Sequence, residues 1–194
     1  MNKPLPQPIL LLIRGIPGSG KSYFAQHLYA ALGANTAILL DPDTTDYSSD
    51  AYLRHVQEQQ DEGIDPKLYP YRFLRSQAYD GIAHDKIIIW NQPFSNLEIL
   101  QKVTDRLQEY AVSKSKQLTI HMVEVTIDPT IAQERVKQRV NNGGHGPSED
   151  TFQRFVREYS TAVPLGYNII PINGLDEPEV TVPVVMHYIS SIAA

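Results

Sequence analysis

The stretch GIPGSGKS, residues 15–22, decides the fold of this chain. It matches the pattern G-x-x-x-x-G-K-[ST] at every fixed position, and that pattern is typical of a phosphate-binding loop. A short apolar run at residues 9–13 precedes it, and apolar residues at helical spacing follow it over residues 21–32. The sequence therefore predicts a buried strand, a glycine-rich turn and a helix, which is the usual context of a P-loop.

The residue types in this loop suit nucleotide phosphates. Glycines let the backbone curl so that N–H groups point at phosphate oxygens, and the following helix adds its free N-terminal N–H groups. Lys21 is predicted to reach the β- and γ-phosphates, and the Ser22 hydroxyl is predicted to ligate Mg²⁺. The predicted nucleotide-binding residues of the loop are Gly15, Ile16, Pro17, Gly18, Ser19, Gly20, Lys21 and Ser22. The body of the chain contains no N-K-x-D motif for guanine, so ATP is the expected nucleotide.

Short apolar runs alternate with helix-like segments along the chain. Strands are predicted at residues 9–14, 36–40, 87–90, 118–127 and 167–170. This alternation is typical of a parallel sheet with helices on both faces. We predict an α/β three-layer P-loop NTPase fold with a five-stranded, mainly parallel sheet and a small lid. Residues 1–194 are expected to form a single kinase-like domain, with a substrate-side insertion at 43–85 and a lid loop at 141–147.

Composition narrows the function classes. The net charge of −5 weighs against contact with long nucleic acid, which usually needs a basic surface. The absence of cysteine excludes disulfides and cysteine-based zinc sites. The apolar run at 9–13 is too short for a signal-peptide core, which takes about 7–15 residues, or for a membrane span of about 20 residues. We therefore expect a cytoplasmic protein that does not bind membranes.

Three aspartates, Asp41, Asp43 and Asp46, follow the predicted second strand. Ligands of open α/β sheets bind outside the carboxyl ends of the strands, so we expect Asp41 and Asp43 to lie in the substrate crevice. In an extended segment these two side chains would lie on one side, and Asp43 is predicted to accept the proton of an attacking hydroxyl. The alternative is an Asp-Pro-Asp turn in which Asp43 caps a short helix.

A helix with two arginines follows the predicted fourth strand. Asp128 and Pro129 form a typical helix start, and Arg135 and Arg139 lie four residues apart on one face. Both arginines are predicted to bind the nucleotide, and Arg139 to neutralise charge on the transferred group. The sequence NNGGHGP at residues 141–147 predicts a flexible lid beside them. The alternative is a solvated, salt-bridged helix face.

Together these motifs resemble the zeta-toxin-like P-loop kinases, and the related 5′-hydroxyl polynucleotide kinases share the layout. The segment RVNNGGHGPSEDTFQRF, residues 139–155, is similar to the lid of the small zeta-like kinases. The resemblance implies ATP- and Mg²⁺-dependent phosphorylation of a hydroxyl on a small molecule, such as a nucleotide or a nucleotide-sugar. It also implies that Lys21 binds phosphate, that Asp43 is the general base, and that Arg135 and Arg139 are lid arginines. An antitoxin or another protein partner stays open.

The sequence departs from these relatives at two places. They often carry an arginine three residues after the base, where this chain has Asp46, so Arg72 or Arg75 is the candidate to hold the acceptor. Their third strand usually ends in a carboxylate, and here Asn91 is the candidate substrate-binding residue. An amide neither takes a proton nor neutralises Mg²⁺ as a carboxylate does. Two alternative functions therefore stay open: a polynucleotide 5′-hydroxyl kinase and a non-catalytic ATP-binding protein.

Overall fold

A sheet of five parallel strands forms the centre of the protein, in the order β2-β3-β1-β4-β5. The computed structural model describes residues 8–191. The strands are β1 (Ile9–Arg14), β2 (Ala37–Leu40), β3 (Ile87–Asn91), β4 (Thr119–Thr126) and β5 (Asn168–Asn173). The helices are α1 (Lys21–Leu32), α2 (Asp50–Asp61), α3 (Tyr69–Ala83), α4 (Leu97–Ser113), α5 (Pro129–Asn141), α6 (Glu149–Glu158) and α7 (Pro178–Ser191). The predicted α/β P-loop NTPase fold is confirmed, and every strand pairing is parallel.

Strand β1 lies in the middle of the sheet, and all six of its residues are buried. Successive side chains point to opposite faces, so the strand contributes to two cores. Leu11 and Ile13 pack in the core that α1 and α7 cover. Leu10 and Leu12 pack in the core that α3 and α4 cover. Within residues 8–191, no helix has the length and apolar composition needed to cross a membrane.

A third, smaller core connects the P-loop to the lid region. Ile16 of the loop packs with Ala132 and Val136 of α5 and with Phe152 of α6. Asp128 caps α5 by accepting a hydrogen bond from the Thr130 N–H, as the Asp-Pro start predicted. Helix α5, which carries both arginines, and helix α6, which follows the glycine loop, are therefore packed directly on the phosphate-binding loop.

The region 43–85, for which the sequence predicts an insertion, contains two helices with different surroundings. Helix α2 has two buried residues, His55 and Gln59. Helix α3 buries Leu74 and Ala78 in the core of the sheet. The second half of the region is thus the helical crossover between β2 and β3, which brings the carboxyl ends of these strands next to that of β1.

Candidate active site

The P-loop occupies the turn between β1 and α1. Gly18 and Gly20 have φ values of +82° and +95°, a left-handed conformation that favours glycine. A Cβ atom on Gly18 would also overlap the carbonyl oxygen of Ala132 in α5. Gly20 is the N-cap of α1, so the helix begins at Lys21 and directs its free N–H groups toward the loop.

Opposing electrostatic effects act on the pKa of the Lys21 ammonium. Burial lowers the pKa of its ammonium from 10.5 to about 8, against the carboxylates of Asp43 and Asp41, which raise it. The Arg139 guanidinium also lowers the pKa of Lys21. A bound polyphosphate would place negative charge next to the ammonium and favour its charged form, so the lysine is suited to an anionic ligand.

Behind the loop, three side chains form a hydrogen-bonded cluster. The Asn91 Nδ2 group donates to the Ser22 Oγ atom (3.0 Å) and to the Asp41 Oδ2 atom (2.6 Å). Asn91 and Asp41 are each 2% exposed, and the buried Oδ1 atom of Asn91 has no hydrogen-bond partner. Hydroxyl, carboxylate and amide oxygens are ligands that Mg²⁺ accepts. These residues therefore fit a magnesium ion that also binds the nucleotide phosphates.

No group of three or more His, Cys, Asp or Glu side chains within the described residues 8–191 could hold a metal by itself. Mg²⁺ dehydrates reluctantly and is usually bound by one or two protein ligands together with substrate phosphates and water. The cluster of Ser22, Asp41 and Asn91 suits this partial kind of site.

The two aspartates after β2 have different surroundings. The Asp41 carboxylate accepts hydrogen bonds from Asn91 and from the backbone N–H of Asp43 (2.9 Å). The Thr45 N–H bonds to the Asp41 carbonyl (3.0 Å), so the segment forms a turn and the expected extended geometry is wrong. The segment turns because Asp and Pro residues in the order Asp-Pro-Asp favour a local turn. Both aspartates nevertheless line the same cavity, where Asp43 is exposed and Asp41 is buried.

The two arginines of α5 have different positions. Arg135 donates from Nη1 to the Gly174 carbonyl (2.9 Å) in the loop after β5. A Cβ atom on Gly174 would overlap the Ser19 carbonyl, so this loop packs tightly on the P-loop. Arg139 lies farther along α5, where its field acts on Lys21. No motif in the sequence indicates this packing role of Gly174.

Two cavities meet at the P-loop. The first, which we call the donor cavity, has a volume of about 480 Å³ and extends from the loop along α1 to Arg135 and residues 173–178. The second, which we call the acceptor cavity, has a volume of about 720 Å³ and extends toward Asp43 and residues 91–96. Residues of the lid also line the acceptor cavity. The residues shared by both cavities are Gly18, Lys21, Ser22 and Arg139.

The structure does not bring Arg72 and Arg75 to this site. Neither side chain lines the donor or the acceptor cavity. Arg72 pairs with Glu62 (3.2 Å), and partial burial lowers the pKa of Arg75. Their predicted contact with the acceptor has no support in this geometry, because the buried residues of α3 turn the two arginines away. His145 of the glycine loop, by contrast, lines the acceptor cavity.

A buried ion pair beside the P-loop is absent from the sequence predictions. Arg14 is 0% exposed and contacts Glu124 (Nη1 to Oε1, 2.5 Å) on the neighbouring strand β4. Its Nη2 group donates to the carbonyls of Phe94 (2.9 Å) and Ser160 (3.0 Å). A charged residue in the middle of a buried parallel strand must be paired, so Glu124 was the signal for this site.

Solved structures share this fold. A gluconokinase from Sinorhizobium meliloti 1021 has a TM-score of 0.56 at 16% identity, over 97% of this chain and 95% of that chain. A sugar kinase from Janibacter sp. HTCC2649 has a TM-score of 0.57 at 17% identity, over 97% and 99% of the two chains. A chain of the Pnkp1/Rnl/Hen1 RNA repair complex has a TM-score of 0.56 at 19% identity, over 81% of this chain and 45% of that chain. At these identities the likeness concerns the fold.

At the level of sequence, no curated protein matches this chain. A family match is present, however, and it spans residues 10–161 with the description AAA domain. The matched span includes the P-loop, the turn with Asp41 and Asp43, and helix α5 with its two arginines. Since it covers most of the 194 residues, this P-loop protein belongs to the AAA domain family.

Proposed function

We propose that this protein is a P-loop kinase that moves the γ-phosphate of ATP to a hydroxyl group of a small molecule. The observation that carries the proposal is the junction of the donor and acceptor cavities at Lys21, Ser22 and Arg139. A protein that only binds a nucleotide needs one cavity. A second cavity that opens on the same phosphate-binding side chains suits transfer between two ligands.

In this proposal the nucleotide lies in the donor cavity with its phosphates on the P-loop. Lys21 binds the terminal phosphates, and Ser22, with Asp41 and Asn91 behind it, holds Mg²⁺. When bound, Mg²⁺ neutralises part of the phosphate charge. Arg135 fixes the loop after β5 through the Gly174 carbonyl and so shapes the wall of the donor cavity.

The acceptor hydroxyl attacks from the other cavity. Its oxygen forms a bond to the γ-phosphorus, the bond from that phosphorus to the β,γ-bridging oxygen breaks, and ADP leaves. Asp43 takes the hydroxyl proton, because it is exposed in the acceptor cavity while Asp41 is engaged by Asn91. Arg139 lies between the cavities, where it can stabilise charge on the transferred group.

The resemblance to zeta-toxin-like kinases supports the same roles for Lys21, Asp43, Arg135 and Arg139. The folds of a gluconokinase and a sugar kinase are consistent with a small acceptor. The geometry gives less support to a polynucleotide acceptor, despite the likeness to a chain of an RNA repair complex. A polynucleotide acceptor would need a basic, aromatic channel, for which the sequence offers Arg54, Tyr69, Tyr71, Arg72 and Arg75. Of these candidates, Tyr69 is buried and Arg72 is paired with Glu62.

The proposal is tested by measuring ADP release from ATP·Mg²⁺ with a panel of nucleosides, sugars, nucleotide-sugars and 5′-hydroxyl oligonucleotides. We expect acceptor-dependent ADP release with a small molecule, and a fall of about 10²-fold or more in Asp43→Asn. Asp46→Asn is the matched control, because the exposed Asp46 carboxylate accepts hydrogen bonds from the neighbouring Ser48 and lines neither cavity. Equal rates in both variants would contradict the role of Asp43. ATP binding with no transfer to any acceptor would favour the non-catalytic alternative.

A further inference from the structure

We infer that the acceptor is an uncharged alcohol that carries a flat or apolar ring, such as a nucleoside or an aryl glycoside, and not a phosphorylated or carboxylated compound. The inference rests on the proposed function and concerns the same acceptor cavity. It follows from the charges and the apolar surface that the described residues place there.

Among the described residues, no lysine or arginine lines the acceptor cavity alone, where it could bind an anionic acceptor. Among the described residues that line it, the lysine and arginine side chains are Lys21 and Arg139, and both also line the donor cavity. Asp41 and Asp43 supply two negative charges on the acceptor side. Once ATP·Mg²⁺ binds, the net charge around the acceptor is negative, which repels a second phosphate or a carboxylate.

His145 is the remaining lining residue that can carry positive charge, and it lies on the exposed glycine loop. The two arginines that could have bound an acceptor phosphate, Arg72 and Arg75, line neither cavity. A site built to select an anion places a fixed guanidinium or a helix N-terminus on it. The donor side has Arg135 and the start of α1 at the P-loop. On the acceptor side the N-terminus of α4 is capped by Asn96, whose Oδ1 accepts from the Ile99 N–H (3.0 Å), and Asp41 and Asp43 present carboxylates.

Apolar side chains form another part of the lining of the acceptor cavity, which we call the apolar wall. Tyr71 and Ile99 line it and are 54% and 55% exposed, so large apolar surfaces are available to a ligand. Phe94 and Phe155 line the same cavity. Apolar and aromatic walls with a few polar groups are typical of sites for ring-bearing small molecules.

One residue of the apolar wall, Phe94, has a strained backbone conformation. Phe94 has a φ of +45°, an unfavourable conformation for an aromatic residue that surrounding contacts must stabilise. Its carbonyl accepts a hydrogen bond from the buried Arg14 (2.9 Å), and its ring packs edge to face on Trp90 with centroids 5.9 Å apart. Such strain is common at ligand sites, and here it fixes the position of an apolar side chain beside the acceptor.

The test compares matched pairs of acceptors at pH 8. One pair is adenosine and adenosine 3′-monophosphate, and the other is phenyl glucoside and glucose 1-phosphate; gluconate serves as a carboxylated acceptor. We expect the uncharged member to have a kcat/KM at least about tenfold higher in a pair that reacts. Reaction of the adenosine pair would indicate that the site accepts a nucleobase, and reaction of the phenyl glucoside pair would indicate that it accepts an aryl group. An equal or higher kcat/KM for the phosphorylated member, or efficient use of gluconate, would overturn the inference.

A binding measurement separates this inference from the proposed function. Ligand-observed NMR of the same pairs with the ADP·Mg²⁺-loaded protein should show binding of an uncharged member and none of its phosphorylated partner. Such binding without phosphate transfer to any acceptor would refute the kinase proposal and leave the ligand class standing. Preferential binding of the phosphorylated partner would refute the ligand class.

A second experiment adds a positive charge to the apolar wall of the acceptor cavity. Ile99→Arg places a guanidinium at the acceptor cavity and should shift the preference toward the phosphorylated member by about tenfold or more. Val112→Arg is the matched control, because Val112 is 73% exposed on the same helix and lines no cavity described above. An unchanged preference in Ile99→Arg would show that charge at this wall does not select the acceptor.

Discussion

Lys21 shows how one residue connects the fold to the chemistry. The β1–α1 turn places its ammonium in a partly buried position between Asp43, Asp41 and Arg139, and the resulting pKa is about 8. A lysine in water keeps its charge far above this pH. In the unliganded protein, Lys21 therefore changes its protonation near the upper end of the physiological pH range.

The first prediction concerns the pH dependence of nucleotide binding. Phosphates raise the pKa of Lys21, so binding above pH 8 must take up a proton, and affinity should fall by up to about tenfold per pH unit. Below pH 7 this lysine is already charged and contributes no dependence. Calorimetry of ADP·Mg²⁺ binding at pH 8.5, in buffers of different ionisation enthalpy, measures the proton uptake. Lys21→Arg, which stays charged, is the control; equal uptake in both proteins would rule out Lys21 as its source.

The second prediction separates the two arginines of α5. Arg139 lines both cavities, so Arg139→Ala should lower kcat by about 10²–10³-fold with little change in the KM for ATP. Arg135 contacts the wall of the donor cavity, so Arg135→Ala should mainly raise the KM for ATP. Steady-state kinetics with an acceptor identified by the ADP-release panel measures both effects. A large loss of kcat in Arg135→Ala would show that the roles are reversed or shared.

At the level of elements, the strongest local patterns were predictable and the tertiary details were not. The strand, loop and helix at residues 9–32 carry their own signals in apolar spacing and glycine chemistry. Helix α7 was missed, because Pro178 and Pro183 are typical of loops and the valines between them favour strands. Packing of Val185 and Ile189 against the core overrides these preferences.

The site was predictable to the same degree. Residues of the P-loop line one cavity with Asp43, Asn91 and Arg139, because strand ends and motifs fix their positions in the fold. The positions of Arg72 and Arg75 depend on which face of α3 packs on the sheet, and the sequence around them did not reveal that face. The charge of Glu124 within a buried strand indicates that an ion-pair partner exists, but Arg14 lies 110 positions away and local patterns do not identify it.

The third prediction concerns that ion pair. Glu124→Gln leaves the buried Arg14 guanidinium without its counter-charge, which should cost about 3–5 kcal/mol in the free energy of unfolding. Glu98→Gln is the control, because the Glu98–Lys102 pair is solvent-exposed and should contribute no measurable stability. Urea unfolding of the two variants makes the comparison. Equal midpoints would mean that the Arg14 pair is as dispensable as a surface pair.

At the scale of the whole molecule, the parallel sheet explains why the two cavities meet. The carboxyl ends of β1, β2 and β3 lie side by side and carry the P-loop, Asp41 and Asn91, respectively. The carboxyl ends of β4 and β5 lead into α5 and into the loop at 173–178 on the donor side. One edge of one sheet therefore brings both cavities to Lys21, which lines each of them.

Phosphoryl transfer is tested most directly by a ³¹P NMR time course of ATP·Mg²⁺ with the protein and a mixture of uncharged alcohols. Phosphate transfer predicts a new phosphomonoester resonance that grows in equal amount with ADP, and both signals should be lost in Asp43→Asn. Two results would contradict transfer of a phosphoryl group from ATP in the donor cavity to a hydroxyl in the acceptor cavity. One is formation of ADP with inorganic phosphate alone, and the other is ATP that stays intact in the presence of every acceptor.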